Sequence, residues 1–166
     1  MITLTRRVLV DRDPDAAWEL VSDFTRYPEF FVGISRWEPR SSKRRGKGAK
    51  FRVLMRVGSV EAGGTIAITG WEPQKTIAWT SDAGVQQRGA WTLLPAAGGT
   101  QLQLEIEFDL AGPAGWLAER LAGRVVGRNM EATLLAARRI LEFESKDGAP
   151  KRKPRASSPQ PAIAGR

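Results

Sequence analysis

The chain has no cysteine and no histidine. Lack of thiols excludes disulfides and thiolate nucleophiles, and the two absences together exclude Cys/His zinc sites. Imidazole acid–base chemistry near neutral pH is excluded as well. No metal and no cofactor is therefore expected. Tyrosine occurs once, as Tyr27. No run approaches the ~18 apolar residues of a membrane-spanning helix. Arg6 and Arg7 are not followed by the apolar segment of a secretion signal. These gaps predict a soluble, cytoplasmic protein in a reducing compartment, without stable membrane insertion. Nothing in the pattern sets an oligomeric state.

Acidic charge is also in deficit: 26 Lys and Arg stand against 18 Asp and Glu, for a net charge of +8. The excess is local. Arg40, Lys43, Arg44, Arg45, Lys47, Lys50 and Arg52 follow one another without an acid, and Lys151, Arg152, Lys153 and Arg155 lie in the C-terminal tail. From Ser145 onward the residues are Pro, Lys, Arg, Ser and Ala without apolar period, so the division reads as a domain over 1–143 and a disordered basic tail over 144–166.

What the chain does have is strand pattern. Leu102, Leu104, Ile106, Phe108 and Leu110 alternate with Gln101, Gln103, Glu105, Glu107 and Asp109, the mark of a strand with one buried and one wet face. Ile2–Val10 alternates likewise. Strands are also expected over 34–39, 51–57, 60–71, 76–81 and 86–94, with Gly63-Gly64 marking a bulge or sharp bend. Asp13-Pro14 is a helix start, Asp13 capping and Pro14 at the first turn. A second short helix is expected through Tyr27–Phe31.

A long helix is expected from about Ala114 to Phe143, opened by Gly112-Pro113. It carries Leu117, Leu121, Val125, Leu134 and Leu141 at helical spacing. Gly123 and Gly127, four apart on it, let a strand, helix or ligand come close. Six or seven sequential antiparallel strands curl, and the only large helix must cover their concave face. The expected fold is thus α+β: a helix-grip, with a curved antiparallel sheet on a long C-terminal helix and two short helices after strand 1.

The residues Asp15-Ala16-Ala17-Trp18-Glu19-Leu20-Val21-Ser22-Asp23-Phe24, followed by Arg26-Tyr27-Pro28-Glu29-Phe30, carry a family likeness. With the strand series and final helix, the chain resembles the START-like (SRPBCC) superfamily over about residues 1–143. That superfamily includes polyketide cyclase/dehydrase and coenzyme-Q-binding proteins of Bet v 1-like fold. The resemblance implies an internal cavity for a lipid, quinone, isoprenoid or polyketide-like molecule. It carries over no universal catalytic residue.

Candidate ligand-binding residues are Tyr27, Phe30, Trp37, Met55, Trp79, Trp91, Phe108, Trp116, Leu121, Val125 and Met130. The polar candidates are Tyr27, Arg52, Arg56, Glu61, Thr65, Gln86, Arg88, Thr92 and Asn129. Three readings follow. In the leading one, the protein carries or sequesters a small hydrophobic ligand. In the second, the cavity is a cyclase, aromatase or dehydratase site in which Arg88 and Tyr27 orient the substrate. In the third, Lys43, Arg44, Arg45 and Lys47 contact RNA or ribosomes through phosphates. The same cations, as a basic rim beside the pocket, would also suit collection of a lipid from an anionic membrane.

Overall fold

The computed structural model describes residues 1–110 and 115–147; within the last helix, the side chains of Trp116 and residues 145–147 lie outside the description. The expected Gly112-Pro113 opening and most of the expected tail also fall outside the described residues. Among the described residues, seven strands form one antiparallel sheet: β1 (Ile2–Val10), β2 (Ile34–Pro39), β3 (Lys50–Val57), β4 (Val60–Glu72), β5 (Thr76–Gly84), β6 (Gln86–Ala96) and β7 (Gly99–Asp109). Their order, β1-β7-β6-β5-β4-β3-β2, is a meander closed by β1 on β7, leaving β1 and β2 at the edges.

Between β1 and β2 lie α1 (Pro14–Ser22), a 3-10 turn (Phe24–Arg26) and the single-turn α2 (Tyr27–Phe30). Asp13 caps α1, its carboxylate accepting from the Ala16 N–H at 2.8 Å, with Pro14 at the first helical position. Asp23 caps the next turn through the Thr25 N–H at 3.1 Å. The long helix α3 (Gly115–Asp147) runs four residues beyond its expected end and, at about 1.5 Å per residue, is about 50 Å long.

Alternation decides which residues face α3. On β7, Leu102, Leu104, Ile106 and Phe108 are buried on the concave side. On β1, Ile2, Leu4, Val8 and Val10 pair with Phe108, Ile106, Leu102 and Thr100 on the same side. The edge strand β1 meets α3 at its two glycines. A Cβ on Gly123 would stand 3.3 Å from Ile2, and one on Gly127 2.9 Å from the Arg6 guanidinium. A strand, then, is what these glycines admit.

Gly63-Gly64 bends the sheet as expected. Gly63 has φ +149°, and a Cβ on Gly64 would strike the Ala83 carbonyl, so β3, β4 and β5 come too close there for any side chain. The β4–β5 register shifts next to this point, between Thr65 and Ile66.

Candidate functional site

The concave sheet and the helix do not fill the space between them. A cavity of about 370 Å³ lies between the free ends of β3 to β7 and the first half of α3. Its walls are Val53, Met55 and Val57 of β3, Val60, Ala62 and Gly63 of β4, and Ile106 and Phe108 of β7. Val85, Gln87 and Leu110 add to them, and Ala118, Leu121, Ala122 and Val126 of α3 form the roof. The small roof residues explain the void, because two alanines stand where bulky side chains would close it. The cavity opens where Val60 (62% exposed) and Leu121 (55% exposed) face solvent.

A smaller annex of about 40 Å³ adjoins it deeper in the fold, among Phe24, Tyr27, Phe31, Ile34, Trp37, Ile66, Ile68 and Trp79. The two chambers share Val53, Met55, Gln87 and Ile106. Trp79 is held across Gly89, its β6 partner, where a Cβ would overlap the indole ring. Past the annex, aromatic packing fills the fold. Phe24 lies 4.8 Å from Phe51 and 5.2 Å from Tyr27, and Trp37 lies 5.1 Å from Phe51. Trp18 stands edge-on to Trp71 at 5.1 Å.

The only polar side chain in the wall of the main cavity, among the described residues, is Gln87. Its backbone N–H donates to Ser81 Oγ at 3.2 Å, while its amide makes no hydrogen bond with a described residue. No Asp, Glu, Lys or Arg is among the lining residues of either chamber. Tyr27 reaches the annex, but its hydroxyl donates to the Val21 carbonyl at 2.6 Å. Burial raises its pKa far above that of an ordinary phenol, only partly opposed by the nearby Trp91 indole. Tyr27 thus stays protonated and structurally engaged at neutral pH. The indole N–H groups of Trp37 and Trp91 are buried without a partner.

The ligand-binding candidates separate into three groups. Met55, Phe108 and Leu121 line the main cavity, and Tyr27, Trp37, Met55 and Trp79 line the annex. Phe30, Trp91 and Met130 are fully buried core residues outside both walls, and Val125 is half-buried on α3, also outside them. Trp116 lies on α3 with its side chain outside the described residues.

Arg88 and Tyr27 are not brought together. Arg88 is on the convex face, pairing with Glu107 at 2.9 Å, and this guanidinium is the main cause of a depressed Glu107 pKa. Gln86 and Thr92 share its strand phase. Arg52 pairs in register with Thr65, and Arg56 with Glu61, on the same outer face. Asn129 packs against Gly33, where it occupies the space a Cβ would need. Residues that the sequence reading passed over supply much of the wall: Val53, Val57, Ala62, Val85, Gln87 and Ile106. Gln87 had a signal, because it shares the alternation of Trp91 and Leu93.

The basic segment corrects one expectation. Loop 40–49 precedes β3, whereas the mouth residues Val57 and Val60 flank the turn that follows it. The steps from Lys50 to Val57, at about 3.3 Å each, separate the two by about 23 Å, so no basic rim formed by this loop borders the mouth. The loop is also pinned. Arg45 donates to Ser22 Oγ at 2.6 Å and stacks 5.8 Å above Trp71, and Lys50 N–H donates to Ser41 Oγ at 2.9 Å. Lys43, Arg44 and Lys47 are exposed. No described helix is long and apolar enough to cross a membrane.

Comparison with known proteins agrees with this architecture. A protein from Thermus thermophilus has the same fold at a TM-score of 0.75, with 18% identity over 87% of this chain and 99% of its own. An aromatase/cyclase from Streptomyces superposes at 0.69, with 21% identity over 86% of this chain and 94% of its own. A START superfamily protein from Mycobacterium smegmatis does so at 0.63, with 19% identity over 83% and 98%. At these identities the likeness establishes the fold alone. No curated protein matches by sequence at a significant level. The model of the family described as polyketide cyclase / dehydrase and lipid transport matches residues 1–142. That match spans every strand and nearly all of α3, and the chain belongs to this family, built on the START-like helix-grip fold.

Proposed function

We propose that the protein binds a compact hydrophobic molecule in the cavity beneath α3 and acts as its carrier or sequestering protein. The observation that carries this reading is an apolar void of about 370 Å³ with no titratable side chain among the described residues of its wall. Ligand sites of drug-sized molecules span roughly 300–1,000 Å³, so this one suits a single short chain or fused ring system rather than a two-tailed lipid. A quinone, isoprenoid or polyketide-like molecule of that size fits the class. Burying about 250 Å² of apolar ligand surface, at about 25 cal/mol per Å², gives a gross gain near 6 kcal/mol. Ordering costs reduce it, and a Kd of tens of micromolar or weaker is expected.

The family also includes cyclases, and that chemistry needs a group able to move a proton near neutral pH. The wall offers Gln87, which cannot, and Tyr27, which is held protonated by burial. This lining supports the carrier reading over the cyclase one. Native mass spectrometry of gently purified protein, with a solvent extract of the same sample, tests it. A bound small molecule, displaced by an apolar dye, is expected; protein that holds nothing and takes up no dye refutes the reading.

A further inference from the structure

The one polar side chain among the described residues of the main cavity specifies more about its guest than the apolar walls do. Gln87 borders both chambers, at the neck between them, with Val53, Met55 and Ile106 around it. Its strand phase is that of Trp91 and Leu93, so the side chain is committed to the concave face. The backbone N–H is already engaged by Ser81, and the amide is left with one acceptor oxygen and two N–H donors and no partner among the described residues. Gln87 is half-buried, and its amide is not among the fully buried unpartnered groups, which are the Trp37 and Trp91 indoles; it stays accessible from the cavity and free to meet a guest. Leucine or methionine would line the same place without offering a guest any polar contact.

We infer that the ligand carries one uncharged oxygen function, a ketone, quinone or hydroxyl, that hydrogen-bonds the Gln87 amide, with its apolar body in the main cavity. This deepens the proposed binding function and rests on it. The charge requirement follows from the wall. An anionic ligand would be buried with no cation to meet it, since Arg52, Arg56 and Arg88 point to the convex face. Length is limited as well. The annex beyond Gln87 has room for about one or two water molecules or a small substituent, so the guest stops at the neck. The polar end enters first and the apolar end lies toward Val60 and Leu121.

The test uses delipidated full-length protein and three probes of one size, naphthalene, naphthol and naphthoate, titrated by calorimetry at neutral pH. Naphthalene and naphthol bind and naphthoate does not. In Gln87→Leu, the naphthol-to-naphthalene affinity ratio falls about tenfold or more, the worth of one neutral hydrogen bond with its loss left unmet. Gln87→Met serves the same purpose should the leucine variant fold poorly. A ratio unchanged in a folded variant overturns the role of Gln87 while leaving the cavity reading intact. Naphthoate binding as tightly as naphthol overturns the neutral-ligand requirement. Failure of every probe overturns the cavity reading and this inference with it.

Discussion

Ala122 and Ala137 stand on the same helix and are both nearly or fully buried, yet enlarging them has opposite consequences. Ala122 lines the void, whereas Ala137 is 0% exposed and outside both chambers. Ala122→Leu places three more carbons in empty space. At about 0.8 kcal/mol per buried carbon, that is a gain of roughly 2.4 kcal/mol. Ordering the leucine costs about 0.5–1 kcal/mol, and the small helix-propensity difference is common to both sites. A net stabilisation of about 1.4–1.9 kcal/mol is expected, raising Tm by about 3–8 °C. Ala137→Leu forces the same atoms into packed surroundings and loses about 1–3 kcal/mol. Urea denaturation of delipidated wild type and both variants reads the difference directly. The opposite signs are the prediction; equal loss in the two variants means the space under α3 is solid. Ala122→Leu also weakens probe binding, because it occupies the ligand's volume.

Three further outcomes follow from single contacts. Gly89→Ala drives a methyl group into the Trp79 ring and destabilises the fold by about 1–3 kcal/mol, with an altered tryptophan emission reporting the displaced ring. Tyr27→Phe strands the Val21 carbonyl and costs about 1–2 kcal/mol at neutral pH, measured by urea denaturation. Because the folded pKa of Tyr27 is raised, its stabilisation is full below the ordinary phenol value of 10.0 and is lost as pH climbs above it, so the wild-type advantage over Tyr27→Phe shrinks in alkali. Arg88→Ala leaves probe affinity unchanged in calorimetry, since its guanidinium is on the outer face with Glu107; a large loss of affinity would place Arg88 in the site after all.

Local rules made much of this fold legible. The alternation of β7 identifies its buried face residue by residue, and Asp13-Pro14 states where α1 begins. Gly63-Gly64 announces the bend, because only a residue without a side chain fits where three strands crowd together. The site was harder to read, for a physical reason. Aromatic residues attract attention as pocket walls, but here Trp18, Phe24, Phe51 and Trp71 fill one end, and the main void is lined mostly by aliphatic side chains with Phe108 as its one described aromatic. Whether a buried side chain meets another or meets empty space depends on helix tilt, which no single strand encodes. Gln87 was within reach of the alternation rule: its neighbours Gln86 and Arg88 belong to the opposite face, and one residue of phase separates the wall from solvent. The position of the basic loop also depended on which end of the sheet stays open.

The packed rings of Phe24, Trp37, Phe51 and Trp71 make the vessel blind at its deep end. On the proposed reading, a guest therefore enters and leaves by one route, past Val60 and Leu121. Dwell time then depends on how readily those two side chains part, and the rate of exchange can be tuned at the doorway without touching the affinity set inside.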